Sequence, residues 1–452
     1  MNYSRKFNYL NLFTCCIVLF VFFLAGFVII GDVEAGLISF VEQPDEVYDW
    51  EVRNRIEQSD GSTLFLIQLT SQKWQDYIFE HRLALIIPEN VEKADFVGLM
   101  VAGGSLADRD DVIFDPDADE IDIISQVAHE VGTPMAVLFD VPYQPLFDNL
   151  REDALIAYTF DRYLETEDPD WPLLLPMTKT VIRAMDCLEE IGEMFYQTGN
   201  MEFLVFGGSK RGWTTWLTAA ADSRVAGIGP AVYDNLELKK QMEHQLEVWG
   251  EYSIQISDYT RRGLQEELST PAGQKLIELV DPYSYLDRIT VPKLLMIGTN
   301  DPYWPLDALH LYYDELQGPV NLFYAPNAGH GIDTEEKILS AYGVFHYQTM
   351  QGLTLPRIEE SFQKKNDDGY KLNVFSGQRP AARIKLWQAD SPVRDFRDAH
   401  WEVAESTEKT GRTVFNIQAP GEGWRAVLVE VVFSEPVEFS LTTGVNIISP
   451  PE

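Results

Sequence analysis

The chain has 452 residues with 35 Lys and Arg against 71 Asp and Glu, a net charge of −36, and 45% of its residues are hydrophobic. That acidity argues against nucleic acid and anionic membrane surfaces as partners, since both are recognised through Lys and Arg. Twenty-five Phe, 20 Tyr and 10 Trp supply enough large apolar surface for a real core, which sets aside disorder, collagen and coiled coil.

At the N-terminus, Arg5 and Lys6 precede an apolar run from Leu12 to Ile30, and Val33 and Ala35 put small residues before Gly36. A basic stretch, an apolar stretch and a small-residue cleavage motif predict a secretory signal peptide over residues 1–35. The run is nearly long enough to span a bilayer, so an uncleaved membrane anchor is the rival reading. A secreted or periplasmic protein is expected. Cys15 and Cys16 fall in the leader, leaving Cys187 as the one mature thiol, placed in a helical pattern as a small buried hydrophobe.

From about residue 80 to 330, short apolar runs alternate with helical patterns, which predicts an α/β fold with a mostly parallel sheet and helices on both faces. The strand candidates are Leu83–Ile87, Phe96–Val101, Pro134–Phe139, Phe203–Phe206, Gly227–Val232, Lys293–Ile297 and Val320–Tyr324. Residues 45–80 read as antiparallel strands on the sheet edge. Between about 235 and 287 strand signals stop, and a helical insertion is expected inside an α/β domain spanning 36–362. The polar stretch 363–369 reads as a linker, and period-two alternation over 370–452 predicts a C-terminal all-β sandwich. That last segment holds 9 Lys and Arg and 11 Asp and Glu, so the charge excess belongs to the α/β part.

The strand candidate Phe203–Phe206 runs into Gly207-Gly208-Ser209-Lys210-Arg211-Gly212 and then a helix. Strand, sharp glycine-bearing turn and helix describe a nucleophile elbow, although Arg211 stands where G-x-S-x-G has its second glycine. Asp301 follows one late strand by a short loop and His330 follows the next, 92 and 29 residues further along in turn. The order Ser, Asp, His is that of an α/β-hydrolase. A serine hydroxyl needs an imidazole to take its proton, and the imidazole needs a carboxylate to hold its tautomer. Oxyanion donors are expected at the amide of Lys210 and in the loop Gly103-Gly104-Ser105. Arg211 is expected to pair with an acidic neighbour.

The runs Trp171–Lys179, Arg183–Asp186, Phe206–Trp216, Asp281-Pro-Tyr283, Gly298–Asp301, Pro326-Asn327 with His330, and Arg394-Asp-Phe-Arg397 resemble the PhoPQ-activated pathogenicity-related protein family. The resemblance runs from about residue 45 to the C-terminus, departing at Gly208 and Tyr143. It implies an exported α/β-hydrolase in which Ser209, Asp301 and His330 take the triad roles.

The expected function is hydrolysis of a carboxylic ester or a peptide bond in a small substrate, through an acyl-enzyme and with no cofactor or metal. His129-Glu130 lacks the second histidine of a zinc motif. Tyr143, Gln144, Trp249, Tyr252, Tyr303 and Trp304 are the candidate substrate rim. The alternative is a secreted signalling or interaction protein, with a protein partner, that keeps the scaffold with little or no turnover.

Overall fold

A computed structural model describes residues 35–106, 114–331, 335–366, 369–377, 379–408 and 411–450; the leader expected over 1–35 lies outside them except for Ala35. Among the described residues no helix is long and apolar enough to cross a membrane.

Helix α1 (Ala35–Glu42) leads into three antiparallel strands, β1 (Asp49–Glu57), β2 (Thr63–Trp74) and β3 (Tyr77–Ile87). The chain then alternates β4 (Phe96–Val101), α2 (Asp119–Val131), β5 (Met135–Leu138), α3 (Glu152–Thr166), α4 (Leu174–Tyr196), β6 (Glu202–Gly208), α5 (Lys210–Ala221) and β7 (Val225–Ala231). After the insertion come β8 (Lys293–Gly298), β9 (Val320–Ala325) and helix α8 (Glu335–Met350). Strands β5-β4-β6-β7-β8-β9 lie side by side and parallel, with β3 antiparallel on β5.

The period-two side-chain alternation of a strand makes each central strand feed two cores. Val97, Leu99, Phe203 and Val205 face α4 and α5, where Met185, Leu188, Trp216 and Leu217 close one layer. Phe96, Leu204, Met135 and Val137 face the other way, toward Ile121, Ile124, Tyr342 and Phe345 of α2 and α8. Both faces being covered explains why these strands read as unbroken apolar runs. Cys187 is buried in the first core, and burial drives its thiol well above the usual range, which leaves it inert.

The segment between β7 and β8 is built around α6 (Leu238–Trp249) and α7 (Pro271–Val280). Thr270 caps α7 by accepting the Gly273 amide at 3.0 Å, with Pro271 at the first helical position. Asp281 ties the two ends of the insertion together by accepting the Leu238 and Tyr283 amides at 2.8 and 3.0 Å.

The C-terminal strands are β10 (Glu359–Asn366), β11 (Gly369–Phe375), β12 (Arg383–Ser391), β13 (Glu402–Thr407), β14 (Arg412–Gln418), β15 (Trp424–Phe433), β16 (Phe439–Thr442) and β17 (Asn446–Ile448). Strands β10-β11-β14 form one sheet. Its Leu372, Val374, Phe415 and Ile417 share a core with Ile384, Leu386, Val427 and Val429 of the facing sheet. Two details differ from the sequence reading. The stretch 363–369, expected as a linker, belongs to β10 up to Asn366 and to β11 from Gly369, with 367 and 368 outside the described residues. The facing sheet is not free-standing either: β16 pairs with β9, Thr442 against Leu322, so β16-β15-β12-β13 extend the central sheet. An edge strand as apolar as β9 needs cover, and alternation in β16 carries no information about which edge it joins.

Candidate active site

The loops that follow β4, β6, β8 and β9 converge at the carboxyl ends of the parallel strands, where α/β sheets bind ligands. Ser209 directly follows β6 with φ 58° and ψ −125°, and its amide donates to the Ala231 carbonyl at 2.8 Å. This strained backbone aims the side chain out of the sheet end. Gly212 explains the departure from G-x-S-x-G: a Cβ there would sit 3.0 Å from the Ala231 carbonyl oxygen, so the close approach falls one residue later than usual. The extra residue, Arg211, reaches sideways to donate to both Glu152 oxygens at 2.8 and 2.7 Å and to the Val141 carbonyl at 2.6 Å.

His330 Nε2 lies 2.8 Å from Ser209 Oγ, and Nδ1 lies 2.8 Å from Asp301 Oδ2. The other Asp301 oxygen accepts the Tyr303 amide at 2.9 Å. Tyr303 also stacks on the imidazole, with ring centroids 4.0 Å apart and 27° between planes. Burial, then the neighbouring Asp153 and Asp301, push the Tyr303 phenol up to about 12, so it remains a neutral ring against the histidine.

On the opposite side, Gly104 has φ 149°, and a Cβ there would lie 2.1 Å from Asp140 Oδ1. Only glycine fits over the Arg82–Asp140 ion pair (2.8 Å), which supports this loop from below. Gln144 donates to the Gly104 carbonyl at 2.7 Å, while Ser105 donates to the Gln144 carbonyl at 3.1 Å. Ser105 and Gln144 therefore fasten the loop. Residues 107–113 beyond it are outside the described set.

Lys210 points its ammonium away from the serine, into Glu152 at 3.0 Å and Asp153 at 3.1 Å. Burial alone would raise Glu152, but the Arg211 guanidinium and the Lys210 ammonium outweigh it and hold the carboxyl at about 2. Asp153 accepts the Tyr259 hydroxyl at 3.1 Å. The acidic pair at the start of α3 went unnoticed in the sequence; an acidic first helical turn was its available signal.

Beside Ser209 opens a mostly apolar pocket, walled by the insertion and by Phe160 and Trp213. Tyr303, Trp304 and Tyr259 line it. Other members of the expected rim lie elsewhere. Tyr143 packs on Phe79 and His81 in the core, Gln144 is buried, and Trp249 lies beneath the Arg397 guanidinium at 4.1 Å. Tyr252 packs with Met242, Ile256 and Trp304 but is not among the described residues lining the pocket. Tyr143, Trp249 and Tyr252 are legible as aromatic in the sequence, but the direction each ring faces is decided by packing against distant segments. Among the described residues no group of three or more His, Cys, Asp or Glu is arranged to hold a metal ion.

Asp307, close after the acid loop, joins the insertion to the C-terminal segment. Its Oδ1 is 2.8 Å from His244 Nε2, and its Oδ2 accepts from Arg394 at 2.6 Å. Burial would raise Asp307, but these two hydrogen bonds outweigh it and hold the carboxyl at about 2, against an ordinary value of 3.8. A depressed acid contributes stability above its unfolded value, and that contribution is lost as pH falls from about 4 to about 2. Asp307→Asn is expected to unfold several degrees earlier than wild type at pH 7 and to converge with it near pH 2, in melts followed by circular dichroism. A constant gap across that pH range would refute the assignment.

The PhoPQ-activated pathogenicity-related protein family matches residues 37–397. Over 432 residues the chain is 30% identical to autocrine proliferation repressor protein A of Dictyostelium discoideum, covering 88% of this chain and 85% of that protein. Among solved structures it is similar to acetyl xylan esterase 1 of a Thermoanaerobacterium species, at 16% identity over 70% of this chain and 94% of that one, with a TM-score of 0.48. S-formylglutathione hydrolase of Agrobacterium tumefaciens is similar at 11% identity over 66% of this chain and 99% of that one, TM-score 0.44. With the family match spanning most of its length, this chain belongs to the PhoPQ-activated pathogenicity-related protein family.

Proposed function

We propose that the protein is an exported serine hydrolase that cleaves a carboxylic ester or amide. The observation that carries the reading is the unbroken relay from Ser209 Oγ through both nitrogens of His330 to Asp301 Oδ2, each step 2.8 Å. Ser209 Oγ attacks the substrate carbonyl as His330 Nε2 takes its proton. Asp301 keeps the remaining ring proton on Nδ1 and stabilises the imidazolium. Negative charge gathers on the carbonyl oxygen, and the amide of Lys210 with those of the Gly103-Gly104 turn are the donors assigned to it. The imidazolium then protonates the leaving group, an ester forms on Ser209, and water activated by the same histidine releases the acid.

The test is labelling by a fluorophosphonate, which reacts with activated serines. Native protein is expected to be labelled and Ser209→Ala not; absence of labelling in well-folded native protein would sink the reading. N-terminal sequencing of the same preparation, made by secretion, is expected to begin at Gly36. The name of the Dictyostelium relative, an autocrine proliferation repressor, favours a second reading as a secreted signal. Repression of growth that survives Ser209→Ala would select that reading over the hydrolase.

A further inference from the structure

We infer that the acyl half of the substrate is an uncharged apolar chain longer than acetyl, and that it occupies the pocket formed by the insertion. This deepens the hydrolase reading and rests on it. Ser209 and Lys210 line the pocket while His330 does not. The group held in it is therefore the one that stays on the serine, because the leaving group must depart toward the imidazole that protonates it. The walls are mostly apolar, with Leu238, Met242, Ile256, Leu276 and Val280 among them, and Asn235 and Gln265 add uncharged polar groups. The two charged residues that line it, Asp153 and Lys210, pair with each other at 3.1 Å, and Lys210 also pairs with Glu152. A carboxylate or ammonium on the acyl chain would thus be buried without a counter-ion, which is strongly disfavoured. The pocket's lining is drawn from α3, α5, the insertion and the loop after β8, more wall than an acetyl group can cover.

Each buried methylene is worth roughly fourfold in kcat/KM. The experiment compares p-nitrophenyl acetate, butyrate, octanoate and hemisuccinate on the full-length secreted protein. Octanoate is expected to exceed acetate by about 100-fold or more, and butyrate to exceed the charged hemisuccinate by about tenfold. Met242→Trp and, as a second filling variant, Ile256→Trp are expected to reduce the octanoate-to-acetate ratio at least tenfold. Fluorophosphonate labelling is run on every sample. A labelled wild type that prefers acetate, or handles hemisuccinate as well as butyrate, would overturn the acyl inference and leave the hydrolase intact. Wild type that neither turns over nor labels would overturn the hydrolase reading itself.

A separate set of bonds assigns a positioning role to the loop between β12 and β13. Asn300 Nδ2, adjacent to Asp301, donates to the carbonyls of Phe396, Arg397 and Ala399 at 3.2, 3.1 and 2.7 Å. Asn327, three residues before His330, donates to the Trp401 carbonyl and accepts its amide, at 2.9 and 2.8 Å. The two catalytic loops are also tied to each other, the Asn327 amide to Thr299 Oγ1 and the Asn300 amide to the Ala328 carbonyl, both at 2.9 Å. Acid and imidazole are thereby held on one brace, whose far side carries the Arg394–Arg397 motif. Asn300 and Asn327 act through Asp301 and His330 and touch no substrate.

Asn327→Ala and Asn300→Ala, assayed at a temperature where circular dichroism finds them folded, are expected to lose tenfold or more in kcat. KM is expected to stay within threefold and the fluorophosphonate labelling rate to fall in step with kcat. Asn300→Gln, which keeps an amide donor for the carbonyls of Phe396, Arg397 and Ala399, is expected to recover at least a third of wild-type labelling. It carries the test if neither alanine variant folds. Folded alanine variants labelled at the wild-type rate, or Asn300→Gln no better than background, would overturn the brace.

Discussion

Ser209→Ala is expected to lose kcat by on the order of 10⁴–10⁶-fold on the octanoate ester while melting within a few degrees of wild type. Alanine keeps the Cβ, so the strain of φ 58° is the same in both proteins and the comparison isolates the hydroxyl. The Lys210 amide, the Gly103-Gly104 turn and the pocket survive the change, which is why residual activity is expected to remain above the uncatalysed rate. The measurement is steady-state hydrolysis beside fluorophosphonate labelling. Retention of more than a tenth of wild-type turnover would mean that another group attacks, and the relay would be structural.

Asp301→Asn is expected to cost about 10⁴-fold in kcat with little change in KM. The size of the effect follows from where the two carboxylate oxygens point. One accepts the Tyr303 amide at 2.9 Å and the other faces His330 Nδ1 at 2.8 Å. In asparagine the carbonyl oxygen keeps Tyr303, so the NH₂ turns to Nδ1 and makes that nitrogen an acceptor. The ring proton then moves to Nε2, where it opposes the serine hydroxyl instead of accepting from it. Flipping the amide merely sets the NH₂ against the Tyr303 N–H. Either arrangement removes the base without enlarging the site. Kinetics, together with loss of the downfield Nδ1 proton signal in NMR, form the check. A loss under tenfold would show that His330 needs no carboxylate.

The two variants test residues that were legible before any coordinates, because each sits in a short loop directly after a strand. Strand patterns are strong here: two-sided burial forces Phe203–Phe206, Lys293–Ile297 and Val320–Tyr324 to be apolar throughout, and the loops that follow inherit a predictable place. The elbow was readable through its glycines and serine even with Arg211 out of pattern.

What stayed hidden has a common physical character. The Glu152–Lys210–Arg211 network, the stacking of Tyr303 on His330 and the Asn300 and Asn327 bonds to residues 396–401 join parts of the chain far apart in sequence, and polar contacts leave no periodicity behind. The rim was misjudged at Tyr143 and Trp249 for the reverse reason. Composition identifies an aromatic ring, but the direction it faces is settled by packing against neighbours such as Phe79 and Arg397.

Sequence by itself therefore determined the alternation of strands and helices and the placing of Ser209, Asp301 and His330 in loops that directly follow strands. All are written in local patterns of apolar residues and turn formers. Tertiary structure alone decided which edge the C-terminal strands extend, which aromatics wall the pocket and which side chains steady the loops. Those outcomes depend on contacts between distant segments, whose free energies no single stretch of chain encodes.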